Sequence, residues 1–191
     1  MPETASSVIA AWSNFYVMTG SSASALTGLM FVVITLVTGV DRSKRTSEGI
    51  GTFSTPTVVH FCAALLISAV LSAPWRSLAP VSTSLGLAGL CGIVYVGRLM
   101  NRARRQLTYT PDLEDWVCYT ILPFVAYGAI LAGAIALLAA PADALFAFAG
   151  AALLLIFIGI HNAWDIVTFL AIGGHEALSS SSRTGDQTKD P

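Results

Sequence analysis

No lysine or arginine occurs before Arg42, so the N-terminal apolar run has no basic region in front of it. A secretory signal needs such a region, and this run is therefore expected to remain as a membrane span. Charge is scarce throughout. Only 11% of the 191 residues are Asp, Glu, Lys or Arg, against about 25% in a soluble domain. Cysteine is scarce too. Cys62, Cys91 and Cys118 fall in three separate apolar segments with no CxxC spacing. That excludes a disulfide framework and reads as small apolar packing residues. There is no phosphate-cradling glycine loop, no HExxH pair, no arguable Ser-His-Asp or Cys-His spacing and no lipidation box. No nucleic-acid partner is expected, and no single motif names a reaction.

What the chain has in abundance is apolar sequence. Hydrophobic residues make up 54% of it and the mean hydropathy is +0.71. A soluble chain of this size has too small an interior to hide that surface, whereas a lipid bilayer removes the difficulty. A bilayer core about 30 Å thick calls for about 20 apolar residues per helix. Five segments meet that length, at about 20–40, 56–75, 77–100, 116–140 and 142–173. The expected fold is an all-α bundle of five transmembrane helices over 1–174, followed by a polar, disordered tail over 175–191. Residues 1–19 either extend the first helix or lie in the interface. Pro56 suits the first turn of span two, and Gly173-Gly174 suits the stop of span five. Short links at 73–77 and 139–143 predict that spans two and three, and spans four and five, form antiparallel hairpins.

Basic residues set an orientation. Arg42, Lys44, Arg45, Arg98, Arg102, Arg104, Arg105, Arg183 and Lys189 all fall on one side of this topology, and Arg76 alone on the other. The positive-inside rule places the nine in the cytoplasm and the N-terminus outside. Small size and compact loops suggest a bacterial inner membrane.

Small residues recur at helical spacing: Gly20, Ser24 and Gly28; Ala64, Ser68 and Ser72; Gly86, Gly89 and Gly92; Gly128, Ala132 and Ala136. Lipid offers helices no hydrophobic drive to associate, so such ridges permit the close approach that does. They serve either packing within one bundle or contact with a second copy or another membrane protein. Pro123 lies inside span four. It removes a donor from the carbonyl of Tyr119 and predicts a kink.

The chemistry-bearing segment is Ile160-His161-Asn162-Ala163-Trp164-Asp165. His161 and Asp165 are one helical turn apart and share a face, which Thr168 continues. An ionisable side chain at mid-bilayer costs about 2.5–3.5 kcal/mol on insertion scales, so these groups should face the bundle or a hydrated space. If span five ends near Gly173, a rise of about 1.5 Å per residue puts Asp165 about 12 Å and His161 about 18 Å deep. His60 on span two lies about 6 Å from the same side by the same rise, and approaches Asp165 if spans two and five touch. Three readings follow. His161 and Asp165, with His60 as an entry group and Asn162 and Thr168 in support, can bind or pass a proton or cation. His60, His161 and Asp165 can together hold a metal ion, or the two histidines a haem. The cluster can also be a structural pair that sets helix register. A second charged patch, Arg98, Arg102 and Arg105 on one face of span three, is a candidate for anionic lipid headgroups. The functional expectation is proton or cation binding or conduction. A non-catalytic accessory subunit and a metal- or haem-dependent enzyme are the alternatives.

Overall fold

The computed structural model describes the backbone of residues 5–40, 47–106 and 117–187, and the side chains of 7–35, 55–102, 117–165, 167 and 168. The protein is all-α. A short helix α1, Ala5–Ala10, leads through a turn at Trp12 into α2, Ser13–Val40. There follow α3, Ser47–Ser72; α4, Leu78–Gln106; a π-helical turn, Val117–Ile121, running into α5, Leu122–Ala136; and α6, Pro141–Gln187. Five of these stretches are long and apolar enough to cross a membrane among the described residues: Ser13–Thr35, Thr55–Ser72, Leu78–Arg102, Val117–Ala136 and Pro141–Asp165. The chain is a multi-pass membrane protein. Helix is the form lipid demands, because it satisfies each backbone donor and acceptor within the segment.

Of the two alternatives for residues 1–19, extension of the first helix holds for the second part, and the far end of the bundle differs from expectation. Residues 13–19 are the first turns of span one, while 5–10 form a separate helix. At the other end, α6 does not stop at Gly173-Gly174 but continues to Gln187, so the stretch from 175 is helical for most of its length. A glycine ends a helix by turning left-handed, and no glycine among the described residues has a positive φ. Pro56 also lies well inside α3, which begins at Ser47, rather than in its first turn.

Neighbour relations are decided by small residues. α2 packs along α3, α3 along α6, α6 along α5 and α5 along α4, with lighter contact of α6 to α2 and of α3 to α4. Spans four and five form the expected hairpin, closed by the 137–140 turn and by Pro141 at the start of α6. Spans two and three do not pair along their length. α4 instead lies on α5, because its glycine face fits there. A Cβ on Gly89 would stand 2.9 Å from the backbone nitrogen of Leu131, and one on Gly92 would collide with the Tyr127 ring. Ser82 adds a hydrogen bond of 2.7 Å to the Ala134 carbonyl. Elsewhere Gly20 admits Ser68 between α2 and α3, and Gly159 admits the Phe61 ring between α6 and α3. The ridges at Gly20 and at Gly86, Gly89 and Gly92 therefore serve packing inside the bundle. Among the described residues, a Cβ on Gly28 or Gly128 would meet nothing within 4 Å.

The core runs through Tyr16, Ala64, Ile67, Leu71, Leu85, Ile130, Leu145, Phe148, Ala152 and Leu155. At the end where the chain enters, Tyr16 donates a buried hydrogen bond of 2.9 Å to the Leu145 carbonyl, tying span one to span five.

Candidate functional site

Antiparallel alternation brings Thr55, Arg102, Val117 and Asp165 to one end of the bundle, the end that carries the basic loops. The polar chemistry gathers there in two groups.

The first group is partly exposed. His161 and Asp165, one turn apart on α6, approach with Nε2 3.5 Å from Oδ2, and their side chains are 37% and 42% exposed. The Tyr119 hydroxyl, from the π-helical turn ahead of α5, points to the same Oδ2 at 3.5 Å. Local sequence explains that turn. Pro123 has no N–H to give the Tyr119 carbonyl, and the backbone widens into a π turn just before it instead of continuing a regular ladder. The register of 117–121 shifts relative to α5, and Tyr119 comes round to α6. Thr168, expected to extend the His161 face, hydrogen-bonds to the carbonyls of Trp164 and Asp165 at 3.0 and 3.1 Å. Trp164 points outward.

The second group is buried. His60 is 2% exposed, and its Nδ1 lies 3.1 Å from the Tyr127 hydroxyl. Gly92 of α4 makes room for the Tyr127 ring, so this contact joins spans two, three and four. Thr57, one turn before His60, is buried as well. Asn162 on α6 is fully buried, and among the described residues neither its Oδ1 nor its Nδ2 has a hydrogen-bond partner.

Spans two and five do touch, through Phe61 on Gly159, yet His60 is paired with Tyr127 rather than with Asp165. His60 is buried inside the bundle. Among the described residues no three His, Cys, Asp or Glu side chains are grouped to hold a metal ion, so the arrangement does not join His60, His161 and Asp165 into one ligand set. The two histidines are held by different partners on different helices. Arg98 and Arg102 are exposed on α4 and form no ion pair with a described residue, while the Arg105 side chain lies outside the described residues.

Sequence reasoning missed the roles of Tyr119 and Tyr127. A signal was present: the two tyrosines and Pro123 recur every four residues in an otherwise apolar span. What periodicity could not supply was the π turn that sends them to different partners. Compared with protein-family models, with curated proteins and with solved structures, the chain shows no match.

Proposed function

We propose that this chain is a small membrane protein that binds a proton or cation at the His161–Asp165–Tyr119 cluster. The observation that carries the reading is the convergence on one carboxylate oxygen, Asp165 Oδ2, of an imidazole from its own helix and a phenol from the neighbouring span, each at 3.5 Å. A carboxylate accepts and releases a proton or coordinates a hard cation. An imidazole beside it can share the proton or the ligand. Both side chains are partly exposed, so the protein itself does not close the cluster off from a ligand. Beyond this layer the facing surfaces of α3 and α6 turn apolar, with Ala64, Ile67, Leu145, Phe148, Ala152 and Leu155. That pattern favours binding and exchange from one side over conduction by a single bundle. The setting proposed is a bacterial inner membrane, with the N-terminus outside and the basic end in the cytoplasm, following the basic-residue asymmetry.

The test is an infrared titration of the protein in nanodiscs, with proton and with sodium, comparing wild type with Asp165→Asn and His161→Gln. A carboxyl band that responds to the ligand in wild type and is lost in Asp165→Asn supports the reading. Spectra that are ligand-independent and alike in both would reduce the cluster to a structural pair. Orientation is checked by impermeant thiol labelling of Ser77→Cys and Ser182→Cys in a cysteine-free background. Intact cells should label the first, and only inverted vesicles the second.

A second reading, an accessory subunit or homo-oligomer, is favoured by one observation. Gly128, with Ala132 and Ala136 on the same ridge, has nothing within 4 Å of a Cβ placed on it. Native mass spectrometry that finds only monomer in lipid-like detergent, with no co-purifying partner, would count against it.

A further inference from the structure

Asn162 stands apart from the other polar groups of the site because it is fully buried while both ends of its amide lack a partner among the described residues. A side-chain amide offers two donors and an acceptor, and burying all of them unpaired is strongly unfavourable. Buried polar groups in that situation are met by ordered water, which typically makes about three hydrogen bonds. The position of this amide gives such a water a role. Gly159 receives the Phe61 ring, which fixes the register of α6 against α3. Asn162 follows Gly159 by one turn toward the basic end, and His60 precedes Phe61 toward that same end. At about 1.5 Å per residue, Asn162 is thus about 3 Å nearer the basic end than His60, between the levels of His60 and buried Thr57 on the packed pair α3 and α6. On α6 itself, Asp165 is one turn further on, at the spacing where side chains on a helix are neighbours. Asn162 therefore stands between the exposed cluster and the buried His60–Tyr127 pair.

We propose that Asn162 binds an ordered water between spans two and five, and that this water is the link through which the exposed cluster exchanges protons with His60. The inference rests on the reading of His161, Asp165 and Tyr119 as the proton-accepting cluster. In the tautomer whose Nδ1–H donates to the Tyr127 hydroxyl oxygen, Nε2 of His60 is the unprotonated position that takes part in the exchange. A protonated Asp165 gives its proton to the water, and the water passes a different proton to the imidazole. The return step runs in reverse, so the water is regenerated and no other reactant is required. The species relayed is a proton, which water and imidazole pass through hydrogen bonds with the imidazolium as a transient carrier; Thr57, His60, Tyr127 and Asn162 offer no carboxylate ligand for a metal ion.

The test uses the full chain in nanodiscs and two readouts that do not depend on ligand binding at Asp165. The first is the O–H stretch of bound water, identified by its shift in ¹⁸O-water. The second is solvent exchange of the His60 ring proton, followed by NMR with labelled histidine. In Asn162→Leu the water band should vanish. His60 exchange should slow about a hundredfold, the lower end of what a positioned proton-transfer group contributes. An unchanged band or unchanged exchange would overturn the proposal. Should Asn162→Leu fail to fold, the wild-type residue decides. With Asn14→Gln and Asn101→Gln, a ¹³C-labelled asparagine reports on Asn162 alone. A hydrogen-bonded carbonyl frequency supports the bound water, and a free carbonyl frequency refutes it. Failure of the binding reading looks different: Asp165→Asn leaves the ligand titration unchanged while the Asn162 water band persists.

Discussion

Replacing Gly92 by alanine is the sharpest test of how the buried pair is held. On an open helix surface a glycine-to-alanine change gains about 1 kcal/mol through helix propensity. At Gly92 the added methyl would fall inside the ring of Tyr127, touching Cδ1, Cε1 and Cγ. The ring must move, and overpacking of this kind typically costs about 1–3 kcal/mol. Displacing it also breaks the hydroxyl contact with His60, a buried hydrogen bond with a net worth of about 1 kcal/mol. Setting the gain against the two losses leaves Gly92→Ala destabilised by about 1–3 kcal/mol. Gly128→Ala is the control. It lies on the neighbouring helix with nothing within 4 Å, and it should be neutral or stabilised by up to about 1 kcal/mol. The assay is reversible unfolding in mixed micelles, with a double-mutant cycle between Gly92→Ala and Tyr127→Ala. Coupling should be strong, because the smaller side chain gives the methyl room. Equal stabilisation by Gly92→Ala and Gly128→Ala would refute the packing argument, and with it the claim that α4 helps position His60.

Two further expectations separate the buried group from the exposed one. Tyr127→Phe strands a buried imidazole nitrogen and should cost about 1–3 kcal/mol. Tyr119→Phe loses a long, half-exposed contact and should cost less than about 1 kcal/mol, while altering the infrared titration of Asp165. Equal losses of stability would mean that the two tyrosines are not differently placed. Ser68→Ala removes a buried hydroxyl that has no partner among the described residues, so unfolding should show a neutral or stabilising change; a loss above about 1 kcal/mol would refute that.

How much of the site could be read in advance depends on how local each feature is. The His161 and Asp165 approach follows from one helical turn of sequence, and the 3.5 Å separation is what that spacing allows. The loss of a donor at Tyr119 follows from Pro123 in the same way. By contrast, the partner of His60 is 67 positions away on another span, and nothing in the residues around His60 distinguishes Tyr127 from Asp165. Burial of Asn162 was equally hidden, because its neighbours His161 and Trp164 face elsewhere.

The amino-acid sequence by itself determined that this protein is a helical membrane protein with five spans among its described residues. Each span is a contiguous stretch of about 20 apolar residues matched to the thickness of lipid, so the decision is made locally. The tertiary structure alone decided the order of packing, α2 to α3 to α6 to α5 to α4, and the division of the polar groups into an exposed cluster and a buried layer. Lipid tails are as apolar as the helix faces, so hydrophobicity cannot say which faces meet. That choice falls to the fit of bulky side chains onto small ones across spans: Tyr127 on Gly92, Phe61 on Gly159 and Ser68 on Gly20.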